Sequence, residues 1–168
     1  MPSNLIVVST LVAGVGTSAI IDFRTRRVPN ALTGALALAG LVLAALGVTG
    51  VTVVSSLMGL ALGLALMLPG HLFGATGAGD VKLFAATGAV VGAGFILPAF
   101  LYTALAGGVI GVIVALRRHR LKRTITGTMG LIASGGANAA EINSPRANNR
   151  FAYAPAIAIG AVLAAWRM

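Results

Sequence analysis

The sequence predicts an all-α fold, a polytopic bundle of about six transmembrane helices. Hydrophobic residues make up 58% of the 168-residue chain and charged residues only 9%. Soluble domains carry about a quarter charged residues, and a water-soluble fold of this size has no way to bury so much apolar surface. Mean hydropathy is +0.98. Neither a repeat nor a linker divides the sequence, so we treat residues 1–168 as a single integral membrane domain.

The lengths of the apolar runs predict the individual spans. A helix needs about 20 residues, at ~1.5 Å each, to cross a hydrocarbon core of ~30 Å. The run from Val81 to Leu116 is too long for one crossing. It predicts two spans joined by a turn, either near Gly92 to Gly94 or at Pro98. The other predicted spans are Leu5–Ile21, Ala31–Gly47, Val51–Leu68 and Phe151–Trp166.

The basic residues predict the orientation of these spans. One basic cluster runs from Arg24 to Arg27 and a second from Arg117 to Arg123, with four predicted spans between them. Four crossings return the chain to the same side, which the positive-inside rule makes the cytoplasmic side. We therefore expect a multi-pass protein of the cytoplasmic membrane, with an outside N-terminus and a cytoplasmic loop at 124–149. This clustering accounts for the net charge of +9 without nucleic-acid binding.

The whole chain contains three carboxylates, Asp22, Asp80 and Glu141. Asp22 ends the first predicted span and Asp80 opens the fourth, and ionisable groups in such positions are costly and often functional. The predicted topology brings both to the cytoplasmic face, so we expect them to meet in one site. Glu141 has no motif around it and is interpreted as a loop carboxylate.

Two neighbouring carboxyl groups supply acid–base chemistry. Because both do not ionise easily at close range, one holds a proton while the other stays charged. The charged partner can activate a water against a peptide carbonyl, and the protonated partner can stabilise the oxyanion. This chemistry needs no metal or cofactor, and the absence of cysteine excludes thiol nucleophiles. The simpler interpretation makes Asp80 a helix cap and Asp22 an ion-pair partner of Arg24.

Two segments carry a family resemblance. In the first, Asp22 is followed by a basic stretch that ends in Pro29-Asn30, and in the second, Asp80 closes the GxGD pattern formed with Gly77 and Gly79. Together they resemble the two signatures of the type IV prepilin peptidase family. The order of the spans agrees with this family, and the run from Tyr153 to Pro155 looks like its C-terminal segment.

The resemblance implies an aspartic endopeptidase with Asp22 and Asp80 as catalytic residues. Its substrate is then a prepilin or pseudopilin whose short basic leader is cleaved at the cytoplasmic face while the hydrophobic N-terminal helix stays in the bilayer. The chain lacks the cysteine-bearing segment of the longer, methylating members. It resembles the short peptidases of tight-adherence (Flp-type) pilus systems, so we expect cleavage without N-methylation.

The residues around the two aspartates have simpler roles. Arg24 is expected to anchor the topology and contact anionic lipid. Pro29 and Asn30 are expected to start the second helix. Lys82 is expected to reach toward the lipid surface, with tuning of Asp80 or contact with a substrate carbonyl as the alternative. Gly77 and Gly79 are expected to let an extended substrate approach the backbone.

Two other functional classes remain open at this stage. A small transporter or proton-conducting subunit would use the aspartates as a relay, and it would place them near the middle of the bilayer. A structural membrane adaptor would tolerate their replacement.

Overall fold

The computed structural model describes residues 2–25, 27–73, 76–117 and 153–168, and within these ranges the regular secondary structure is all helix, with no strand. The predicted all-α class is therefore confirmed. The predicted loop 124–149, Glu141, Arg26 and Phe151 lie outside the described residues. The helices are α1, made of Pro2–Leu11, a π-helical turn Val12–Gly16 and Thr17–Thr25, then α2 Asn30–Ala45, α3 Val53–Leu72, α4 Ala78–Val91, α5 Ala93–Arg117 and α6 Ala154–Ala165.

The six described helices differ in length. Three segments are long and apolar enough to cross a membrane, and these are Asn4–Thr25, Val53–Leu72 and Ala93–Val114. By contrast α2 has 16 residues, α4 has 14 and α6 has 12. Six described helices, three of them long apolar segments, are consistent with the predicted membrane bundle of about six spans.

The long apolar run divides at Gly92. This residue has φ +75°, a conformation that glycine adopts without steric cost, and it ends α4 one residue before α5 begins. The turn predicted near Gly92 to Gly94 is confirmed. The alternative at Pro98 is wrong, since α5 continues through that residue. The third helix also continues past Leu68, through Pro69 to Leu72, which shortens the following connection.

Helix α4 lies at the centre of the bundle, between α2 and α3. After its polar first turn every residue except Lys82 is buried. Small residues permit this close packing: a Cβ on Gly59 of α3 would collide with the carbonyl of Gly88, and a Cβ on Gly40 of α2 would lie 2.7 Å from the backbone of Ala89. Lipid provides no hydrophobic drive for helix association, so close backbone contact and interhelical hydrogen bonds stabilise the bundle.

The helices alternate in direction. The α3–α4 contacts are antiparallel, the α2–α4 contacts are parallel, and the α5–α6 contacts are antiparallel. The end of α1, the starts of α2, α4 and α6 and the end of α3 consequently share one end of the bundle, which we call the aspartate end. Between α3 and α4, Gly59 meets Gly88 and Gly63 meets Phe84. Between α2 and α4, Asn30 contacts Lys82 and Gly40 meets Ala89. Between α5 and α6, Thr103 meets Gly160 and Gly107 meets Tyr153.

Candidate active site

Asp22 lies in the last turns of α1 and is 6% exposed. Its Oδ2 accepts a long hydrogen bond of 3.4 Å from the backbone N–H of Ala154, the first residue of α6. The free N–H groups at a helix start favour a negative charge. Asp22 therefore connects the first helix to the last. The helix itself does not end at Asp22, as predicted, but three residues later at Thr25.

Asp80 lies in the polar first turn of α4, ahead of the apolar residues that begin at Val81. Its Oδ2 accepts a 3.1 Å hydrogen bond from the backbone N–H of Gly77, the residue that precedes the helix. This bond is the acidic half of a capping box, whose other half Gly77 cannot supply because it has no side chain. Asp80 is thus a helix cap as well as a candidate catalytic residue.

The two carboxylates interact with each other. Burial raises the pKa of Asp80 from 3.8 to about 6, the Gly77 N–H acts in the opposite direction, and the charge of Asp22 raises this pKa further. Both aspartates therefore lie at the aspartate end, within electrostatic reach of each other. With a pKa of about 6, Asp80 keeps its proton to a higher pH than a solvated aspartate, and a minor fraction is still protonated at neutral pH.

The two motif glycines pack against neighbouring residues. A Cβ on Gly79 would lie 3.1 Å from the Cβ of Val28, in the short connection between α1 and α2. A Cβ on Gly77 would lie 3.1 Å from Oδ2 of Asp80. Because neither glycine has a side chain, the connection between α1 and α2 and the side chain of Asp80 can both pack closely against the start of α4. This is a packing role, and it is distinct from the expected approach of a substrate backbone.

Lys82 forms a bridge between helices at the same end. Its Nζ donates a 3.0 Å hydrogen bond to Oδ1 of Asn30, the first residue of α2. The pKa of Asp80 is shifted by burial, by the hydrogen bond from Gly77 and by the charge of Asp22. Lys82 is not among the causes of this shift. Pro29 precedes α2 and its carbonyl accepts the N–H groups of Leu32 and Thr33, as expected of a helix start. Arg24 is exposed in the last turn of α1.

Two open grooves lie between the helices, and neither is lined by an aspartate. The first, of about 560 Å³, lies between α1 and α6, and the second, of about 260 Å³, lies between α2, α3 and α4. The first is lined by Ala19, Ile20, Phe23, Arg24 and Pro155. The second is lined by Asn30, Thr33, Gly34, Ala37, Leu60, Leu64, Lys82, Ala85 and Ala86.

Tyr153 and Ala154 are site residues that spacing alone did not reveal. Ala154 binds Asp22, and the pKa of Tyr153 is raised by burial and by the charge of Asp80. Only the family resemblance drew attention to this segment, because it is far from both motifs along the chain. Within the described ranges, no three histidine or acidic side chains are grouped in a way that would hold a metal ion.

The matching region of the chain includes both motifs. Residues 9–112 match the sequence profile of the type IV leader peptidase family, which covers more than half of the chain. The chain belongs to this family. The family resemblance predicted from the two motifs is thereby confirmed, and the protein is grouped with peptidases. Neither a curated protein nor a solved structure matches the chain. Asp22 and Asp80 fall inside the matching region, and α6 lies beyond it.

Proposed function

We propose that this leader peptidase is an intramembrane aspartic endopeptidase with Asp22 and Asp80 as its catalytic pair. The observation that carries the proposal is the electrostatic interaction of two carboxylates, from two separate motifs of the matching region, at one end of a membrane helix bundle. A proton relay needs carboxylates partway across the bilayer. The position of both aspartates at one end of the bundle favours the peptidase.

The surroundings of the two carboxylates assign their roles. Asp22 is the more buried carboxylate, but it accepts the Ala154 N–H at the start of α6, and this contact favours its charged form, so we assign Asp22 as the general base. Asp80 is partly buried and lies within reach of the Asp22 charge, which favours its protonated form, so we assign Asp80 as the acid. Because Oδ2 of Asp80 accepts the Gly77 N–H, the proton belongs on Oδ1, where it is available to a substrate.

The reaction then follows the acid–base sequence of paired carboxylates. Asp22 takes a proton from a water molecule as the water oxygen adds to the peptide carbonyl, and Asp80 donates a hydrogen bond to the developing oxyanion. The carbon–nitrogen bond breaks as the proton held by Asp22 passes to the leaving amine. Water is consumed, one carboxyl and one amine are produced, and both aspartates return to their starting states.

The proposed substrate is a type IV or Flp-type prepilin, cut between its short basic leader and its hydrophobic helix. The aspartate end is assigned to the cytoplasmic face, because the cluster Arg24 to Arg27 follows Asp22 directly and basic loops remain cytoplasmic. At that position the exposed Arg24 is placed for anionic headgroups. We expect no N-methylation, because the chain lacks the cysteine-bearing segment of the longer, methylating members that it resembles.

Co-expression with a Flp-type prepilin tests this function, scored by the size shift that follows leader removal. We expect Asp22→Asn and Asp80→Asn each to reduce cleavage by at least about a hundredfold, because each removes one half of the acid–base pair. Glu141→Gln is the matched control, since it removes the third carboxylate of the chain. Cleavage at the wild-type rate by either aspartate variant, with normal insertion, would refute the proposal.

A further inference from the structure

The start of α6 is held in place at two points. The N–H of Ala154, a fully buried residue, donates to Oδ2 of Asp22 at 3.4 Å. The preceding residue, Tyr153, begins the helix: its carbonyl accepts the N–H groups of Ala156 at 3.0 Å and Ile157 at 3.2 Å. The backbone of Tyr153 therefore determines the direction of the Ala154 N–H.

The ring of Tyr153 is seated on α5 at Gly107. A Cβ on Gly107 would lie 2.7 Å from Cε2 of Tyr153 and 3.0 Å from its Cζ and its hydroxyl oxygen. The ring fits there only because Gly107 has no side chain. The adjacent Gly108 has open space at the corresponding position, with no atom within 4 Å. The contact is therefore specific to position 107.

Tyr153 is also close to the other half of the site. The charge of Asp80 contributes to the raised pKa of its phenol, after the larger effect of burial. One side chain thus lies against α5, at the start of α6 and within electrostatic reach of Asp80.

We propose that Tyr153 is a positioning residue of the aspartate pair: its ring, seated on Gly107, fixes the start of α6 so that the Ala154 N–H is directed at Asp22. The inference rests on the proposed function, in which Asp22 is the base. A base that is displaced by about 1 Å can lose about a hundredfold in rate. The loss is expected to fall on kcat and to leave KM nearly unchanged, because a displaced base weakens the chemical step and does not remove a contact that binds the substrate.

A double-mutant cycle between positions 107 and 153 tests this inference. Tyr153→Ala removes the ring, and Gly107→Ala displaces it, so we expect each to lower kcat for prepilin cleavage by about tenfold or more with KM within about threefold. Tyr153→Phe keeps the ring on Gly107 and is expected to lose clearly less kcat than Tyr153→Ala. Gly108→Ala is the matched control and is expected to have no effect. In the Tyr153→Ala background, Gly107→Ala is expected to cost nothing further, since the ring it displaces is absent.

A second readout needs no substrate. Amide hydrogen exchange at Ala154, followed by NMR, is expected to be about tenfold faster in Tyr153→Ala and in Gly107→Ala, and unchanged in Tyr153→Phe and Gly108→Ala. The positioning role would be overturned if Gly107→Ala lowered kcat equally in the wild type and in Tyr153→Ala. It would also be overturned if hydrogen exchange at Ala154 were unchanged in Tyr153→Ala and Gly107→Ala. If the wild-type protein cleaves no prepilin, the proposed function fails, and the exchange measurement still decides the role of Tyr153.

Discussion

Asp80→Asn is expected to stabilise the folded protein at neutral pH while it abolishes cleavage. The pKa of Asp80 is raised from 3.8 to about 6, chiefly by burial, so the folded state binds the Asp80 proton more tightly than the unfolded state does. The contribution of Asp80 to stability is therefore fully present below pH 3.8 and is lost as the pH rises through 6. Asparagine stays neutral and keeps an oxygen that can accept the Gly77 N–H.

The size of this effect follows from the shift. One pKa unit corresponds to about 1.4 kcal/mol, so the shift of Asp80 sets an upper limit of about 3 kcal/mol. Between pH 4 and pH 7.5 we expect the free energy of unfolding of Asp80→Asn to increase relative to the wild type by about 2 kcal/mol. Above pH 7.5 the difference is expected to stay constant, because Asp80 is then ionised in both the folded and the unfolded state.

The assay is unfolding by dodecyl sulfate in mild detergent, followed by far-ultraviolet circular dichroism at several pH values from 4 to 8. Glu141→Gln serves as the control, and its curve is expected to follow that of the wild type. If the wild-type and Asp80→Asn stabilities remain parallel across this range, burial does not raise the proton affinity of Asp80. The assignment of Asp80 as the acid would then lose its basis.

Three further outcomes are expected. Gly59→Ala should destabilise the bundle by about 1–3 kcal/mol, because its Cβ would meet the carbonyl of Gly88, whereas Gly111→Ala, with open space at its Cβ, should be neutral in the same unfolding assay. Ser56→Ala should cost about 0.6–2 kcal/mol through loss of the buried 2.6 Å bond to Ala89 O, and an unchanged unfolding midpoint would contradict that contribution. Lys82→Met should retain prepilin cleavage within about threefold, since Lys82 bonds to Asn30 and does not shift the pKa of Asp80. A loss in Lys82→Met as large as that in Asp80→Asn would instead give Lys82 a direct role.

Local properties of the sequence predicted much of the architecture. Apolar run length and the scarcity of charge indicated a helical membrane bundle, and Gly92 was one of the two predicted positions for the break in the long run. The helix lengths were predicted less well. Run length measures hydrophobicity, whereas the bounds of α3 depend on backbone hydrogen bonds that continue through Pro69 to Leu72.

The sequence by itself determined which residues are available for chemistry in this protein. With three carboxylates and no cysteine, and with Asp22 and Asp80 each inside a recognisable motif, the candidate catalytic pair follows from composition and local pattern. Only the tertiary structure decided what surrounds that pair. Gly107, Tyr153 and Ala154 lie far from both motifs along the chain, and the antiparallel packing of α5 and α6 brings them to the aspartate end. Contacts between distant segments depend on how whole helices pack, and no local pattern in the sequence records that packing.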